Sequence, residues 1–293
     1  MSWALSWSTV SRFFETTSLV TDSPGARLLV DVVGVPFDSV VTSLDQLDPA
    51  NSAWWTLGKL RAYRQTSPFL HFDSDVFLWT ALPGRVLTAD VAAQNPEAAP
   101  LDDSSYYKPT QVSETLNRLG GWLPKDLCEY VHGGGSTAAC TGVFGGCAWE
   151  DIAEYAATAE QLILSRPNQR AWDQLNEPFR DSGFVEQYYL AAYCKARSAG
   201  NPRYLSYLFS SQAESFSPVA AAERGYTHLI SSSKRSPRLM ALVRRRLRDD
   251  YPVLYDSCLR AADAVANRGA RGAGSTFCVG ATSLTRRKAA RRV

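Results

Sequence analysis

Apolar residues along the chain recur with two periods. At helical spacing they fall on Trp7, Val10, Phe13 and Phe14, on residues 26–33 up to Gly34, and on residues 53–64, where Trp55, Lys59 and Tyr63 occupy successive turns of one face. Between these helices lie short apolar runs bounded by turn residues: 18–22 closed by Ser23-Pro24-Gly25, then 37–41, then 69–73, with 76–79 resuming the pattern. Strand and helix therefore alternate through the first hundred residues, which predicts an α/β fold with a mostly parallel sheet flanked by helices. In such sheets ligands bind beyond the carboxyl ends of the strands, and Asp73-Ser74-Asp75 stands at one such end.

Farther along, residues 95–111 read as a polar, Pro-interrupted surface loop, and Gly133-Gly134-Gly135-Ser136 as another. Thr141 to Gly146 leads into a helix over 149–164, a further helix covers 185–197, and residues 236–266 are helical with a break near Pro252. No internal repeat and no second domain is visible. The expectation is one domain over 1–267.

Composition adds a substantial core, with 45% hydrophobic and 11% aromatic residues. Net charge is +2, but from Arg268 onward there are seven basic residues and no acidic one, which leaves 24 basic against 29 acidic residues before it. A mildly acidic body with a basic tail argues against a dedicated nucleic-acid binder. The tail, 268–293, is expected to be disordered. The absence of a long apolar run predicts no transmembrane segment, and the start Met1-Ser2-Trp3-Ala4 lacks a secretory signal, so a cytoplasmic location is expected. Six cysteines in no zinc-like spacing read as free buried thiols.

Two carboxylates one residue apart after an apolar strand suit a divalent cation that also grips a diphosphate, because Mg²⁺ and Mn²⁺ prefer carboxylate and phosphate oxygens. The bare D-x-D pattern is common, and its bland alternative is a pair of solvated acids. Apolar residues on both sides place Asp73 and Asp75 at the rim of a core, where unpaired charge is costly. His228 and Lys234, six residues apart across a run of serines, supply an imidazole for a metal and an ammonium for a phosphate.

The ordered set Trp55-x3-Lys59, Pro68-Phe-Leu-His-Phe-Asp-Ser-Asp-Val-Phe-Leu-Trp79, Gly142-Val-Phe-Gly-Gly146, Glu186-Gln187 and His228-x5-Lys234 resembles glycogenin-like glycosyltransferases of the GT-A fold. It resembles still more closely an uncharacterised bacterial family of that fold with a P-F-L-H-x-D-x-D-V signature. The resemblance spans about Trp3 to Arg260. It implies a GT-A (Rossmann-like) domain that moves a sugar from a nucleoside-diphosphate sugar, foremost a UDP-sugar, to an unidentified peptide, metabolite or glycan acceptor, with retention of configuration. It implies Mn²⁺ or Mg²⁺ on Asp73, Asp75 and His228, and donor contacts from Asp22, Lys59, Asp73, Gly145, Gly146 and Lys234. Glu186 and Gln187 fall at the catalytic, acceptor-facing position, and Gln94, Asn95 and Glu97 on the acceptor side. Two positions depart from the pattern. Cys140 stands where a sugar-contacting amide is expected, and Ser231 where the His-Lys motif has glycine. These departures motivate the alternative of a GT-A-fold nucleotide-sugar-binding or scaffold protein. A nucleotidyltransferase ranks last, since residues 1–12 contain no glycine.

Overall fold

A computed structural model describes residues 1–102, 104–198, 200–201, 204–267 and 282–283. These residues form a mixed α/β structure and include nine strands in three sheets: β1 (Ser18–Val20), β2 (Ser39–Val41), β3 (Phe69–Phe72), β4 (Val76–Leu78), β5 (Val91–Ala98), β6 (Thr137–Gly146), β7 (Leu205–Tyr207), β8 (Tyr226–His228) and β9 (Thr282–Ser283). The central sheet has the order β7-β5-β6-β3-β9, while β1-β2 and β4-β8 form separate two-stranded sheets.

The expected predominance of parallel pairing does not hold in the central sheet. There β6 runs antiparallel to both β5 and β3, β9 is antiparallel to β3, and only β5-β7 is parallel. The cause lies in β6, whose small residues and glycines look like a turn in sequence. Gly145 and Gly146 have φ of +147° and +148°, and a Cβ there would lie 2.2 Å from the Phe69 carbonyl oxygen and 2.1 Å from that of Asp90. Glycine lets the neighbouring backbones close on this strand, so tertiary approach overrides local turn propensity. The expected loop after residue 94 begins later for a similar reason. β5 continues through Pro96 to Ala98, and β7 covers only Val91–Ala93, so the missing proline N–H falls where no parallel partner needs it.

The sheet buries both faces, and β3 shows how. Phe69 joins a large cluster with Tyr63, Phe144, Tyr155 and Tyr189, while Leu70 and Phe72 point to a second cluster with Val10, Phe14 and Val143. Helices Thr56–Tyr63, Trp149–Leu164 and Tyr189–Arg197 cover the first face, and the N-terminal helix Ser2–Val10 begins the cover of the second. Each fully buried aliphatic or aromatic side chain contributes about 1.5–3 kcal/mol of transfer free energy. A third cluster joins Leu5, Phe77 and Leu229 to Val243 and Leu247 of helix Pro237–Asp250, which packs with Pro252–Asn267 across the anticipated break.

No helix among the described residues is long and apolar enough to cross a membrane. The basic-tail expectation falls outside the described residues except at Thr282–Ser283, which pair with β3. Of the cysteines, Cys140, Cys194 and Cys258 are free and buried as expected, whereas Cys147 is exposed at the end of β6 and Cys128 is partly so.

Candidate functional site

The site forms where the chain leaves one sheet and enters another. After β3, the Asp73 amide donates to the Gly142 carbonyl at 3.0 Å, extending the pairing with β6. A tight turn follows, closed by Val76 N–H to Asp73 O at 2.9 Å, and β4 then pairs with β8 so that Val76 faces His228. The Leu229 amide reaches the Asp75 carbonyl at 3.1 Å. From outside, the Ser2 hydroxyl donates to Ser74 O at 2.7 Å, so the N-terminal helix clamps the turn. One aspartate is thus tied to β6 and the other to β8.

This geometry gathers three expected ligands. One ligand atom each from Asp73, Asp75 and His228 lies within 4.8 Å of the others. His228 Nε2 stands 3.5 Å from Asp75 Oδ1 and 3.8 Å from Asp73 Oδ2. The other ring nitrogen, Nδ1, meets Gln94 Oε1 at 2.7 Å, and that oxygen also accepts from the Tyr226 hydroxyl at 2.7 Å. An amide oxygen cannot donate, so Nδ1 carries a proton, which in the neutral ring turns the Nε2 lone pair toward the carboxylates. Both Asp75 oxygens are buried without a well-aligned hydrogen bond, although Lys234 Nζ lies 2.7 Å from Oδ2. Two carboxylates, that of Asp75 with orphaned oxygens, and one imidazole form a set of donors that could hold a metal ion.

Behind the trio runs a buried charge chain. Lys59 Nζ lies 2.9 Å from Asp73 Oδ1, 3.0 Å from Glu186 Oε1 and 3.0 Å from the Thr141 hydroxyl, which itself donates to Glu186 Oε1. Tyr63, one helical turn beyond Lys59, donates its hydroxyl to the same carboxylate oxygen. Burial alone would push the Lys59 ammonium down, but Asp73 and Glu186 outweigh it and hold it above the usual lysine range. Burial likewise opposes ionisation of Asp73, yet Lys59 and His71 keep its carboxyl below the usual carboxylate range. His71 Nε2 is 3.2 Å from Asp73 Oδ1, and burial, the largest influence, lowers the affinity of its ring for a second proton.

A bulge explains how Thr141 and Gly142 reach this chain. Between the pairs Ala93↔Phe144 and Asn95↔Cys140, β5 advances two residues while β6 advances four. The extra residues bend β6 and re-aim its side chains, a common use of bulges next to active sites. Gly142 has no room for more: a Cβ would lie 2.1 Å from Gln94 Oε1 and 2.4 Å from His228 Nδ1.

The remaining expected residues divide. Lys59 and Lys234 join the cluster. Gln94 lies behind His228, and Asn95 is buried beside it with its Oδ1 unpartnered. Glu97 and Gln187 share the Tyr107 hydroxyl. Glu186 is fully buried and holds Lys59. Gly145 and Gly146 pair with Leu70 and Phe69, three and four residues up β6 from Gly142, roughly 10 Å or more along the strand from it. Asp22 caps helix Ser23–Ala26 by accepting from the Gly25 amide at 2.7 Å. Cys140 is buried in β6, so no amide is offered there.

His71, Thr141, Gly142 and Tyr226 are the site residues that sequence patterning did not assign. A polar residue inside an otherwise apolar strand, as in Phe-Leu-His-Phe, is the signal that could have found His71.

No curated protein and no solved structure matches the chain. A family model does, over residues 1–261, and the chain accordingly belongs to the family of unknown function DUF6734.

Proposed function

We propose that the protein is a metal-dependent glycosyltransferase of GT-A type, acting in the cytosol, which moves a sugar from a nucleoside-diphosphate donor, foremost a UDP-sugar, to an acceptor hydroxyl with retention. The observation that carries this reading is the cation-ready trio Asp73, Asp75 and His228 with Lys234 against it. Mn²⁺ or Mg²⁺ bound there supplies Lewis-acid neutralisation of the departing diphosphate.

The chain's own residues do the rest. Gln94 presents the His228 lone pair. Lys59, held by Glu186 and Thr141, fixes Asp73 as a carboxylate. Lys234, half-exposed, can exchange Asp75 for a phosphate oxygen as a point charge. In the transfer the anomeric carbon exchanges its bond to the diphosphate oxygen for one to the acceptor oxygen, and the acceptor proton leaves to solvent. The enclosure of Glu186 supports a positioning role for it, leaving Gln187 and Glu97 nearer the surface.

A thermal-shift screen tests this reading, since a ligand of the native state raises apparent stability. The expected result is stabilisation by Mn²⁺ with one or more of UDP-, GDP- and dTDP-sugars, lost in Asp75→Ala, followed by donor turnover. No shift, or equal shifts in the variant, removes the transferase reading. Binding without turnover favours a nucleotide-sugar-binding protein.

A further inference from the structure

A cavity of about 1050 Å³ lies beside the charge chain and not on it. Its walls include Trp55, Tyr106 and Phe179, its polar lining includes Ser105 and Asn176, and Lys108, Glu177 and Arg180 stand around it. Phe179 is 70% exposed and Tyr106 52%, so both rings are open to a ligand in this cavity.

Two walls lead back to the metal trio. The Trp55 ring centroid is 5.6 Å from Lys59 Nζ, itself 2.9 Å from Asp73, and the Trp55 indole donates to the Phe179 carbonyl at 2.9 Å. Tyr106 packs edge-on against Tyr107, whose hydroxyl holds Glu97 and Gln187. Both non-glycine residues with left-handed backbone among the described residues, Lys108 at φ 43° and Asn176 at φ 49°, also line this cavity.

Charge selects the ligand class. The lining holds Lys108, Arg180 and Glu177, and Arg180 is already paired with Glu177 at 3.1 Å and, behind it, with the buried Asp181 at 2.7 Å, which leaves the cavity little net pull on an anion. Aromatic faces with hydroxyls, an amide and balanced charges suit the C–H faces and hydroxyls of a neutral sugar chain, and the volume admits more than one ring. We propose that this cavity is a binding site for a neutral oligosaccharide, which makes the acceptor a glycan. The acceptor role rests on the transferase reading; the sugar site itself does not.

The test is saturation-transfer NMR on the full chain with maltotriose, cellotriose, mannotriose and N-acetylated chitotriose, without metal or nucleotide, beside a neutral serine-rich hexapeptide. The expected result is transfer to at least one trisaccharide, with affinity about tenfold lower in Phe179→Ala and Tyr106→Ala. Both side chains are exposed, and Mn²⁺ affinity in the variants should equal wild type. No transfer to any trisaccharide, equal binding by the variants, or preference for the hexapeptide overturns the proposal. Sugar binding without any Mn²⁺ or nucleotide-sugar binding removes the transferase reading and leaves the cavity assignment standing.

Discussion

Gln94 Oε1 and His228 Nδ1 lie 2.7 Å apart, and this contact decides which ring nitrogen faces the two aspartates. Removing the acceptor frees the imidazole to flip or change tautomer. Gln94→Leu should weaken Mn²⁺ binding about 10–100-fold, the range typical of lost outer partners. Gln94→Glu, which still accepts from Nδ1, should recover most of it. Mn²⁺ titration followed by electron paramagnetic resonance measures both.

Gly142 tests the same contact from the opposite side. A methyl group there collides with Gln94 and His228, both enclosed, so Gly142→Ala should abolish metal binding while costing about 1–3 kcal/mol of stability. Gly145→Ala meets backbone at a positive φ and should cost more stability than Gly142→Ala. Urea unfolding of the two variants, set against their Mn²⁺ titrations, separates metal-site geometry from sheet packing.

Lys59 neutralises two carboxylates inside the protein. Lys59→Met leaves Glu186 charged and fully enclosed, and breaking a buried pair in this way costs about 3–5 kcal/mol. Chemical denaturation reads the loss directly.

The same pairing sets an acid limit. The Asp73 carboxyl is depressed in the folded chain, so the unfolded state takes up its proton first, near pH 4. The stabilisation is present above that pH and is lost progressively as pH falls below it toward the folded value. Asp73→Asn should flatten the slope of unfolding free energy against pH below about 4, measured by urea melts at successive pH values.

Lys234 lies 2.7 Å from Asp75 Oδ2 and would compete with a metal for that carboxylate. Lys234→Ala should leave metal affinity equal or raised in the absence of nucleotide, and should weaken UDP binding in the presence of Mn²⁺. Calorimetric titrations of Mn²⁺ alone and of UDP with Mn²⁺ distinguish the two effects.

Much of the site was legible because its ligands follow short rules. An apolar strand ending in Asp73-Ser74-Asp75 is local, and the helical register of Trp55, Lys59 and Tyr63 places three side chains that the structure does bring to one region. The helix over 149–164 and the pair broken at Pro252 were readable from period and punctuation alone. What sequence patterning could not show depends on distant backbone. β6 was hidden by glycines whose purpose is contact with β3 and β5, and its direction set the antiparallel sheet. The contact of Gln94 with His228 was not legible because a bulge in β6, remote in sequence, turns the site toward it. Glu186 was placed at the catalytic position by resemblance, and its enclosure against Lys59 arises from tertiary packing that the sequence pattern does not show.

The turn at Asp73–Asp75 belongs to two sheets, and His228 enters from a strand some 150 residues later in the chain. An ion gripping all three would therefore act as a clasp closing a very long loop, and closing such a loop in the unfolded chain carries a large entropic cost. Occupancy of the site and cohesion of the last third of the described chain become one equilibrium. Amide exchange in helix Pro237–Asp250 should slow when Mn²⁺ is added, although that helix supplies no ligand.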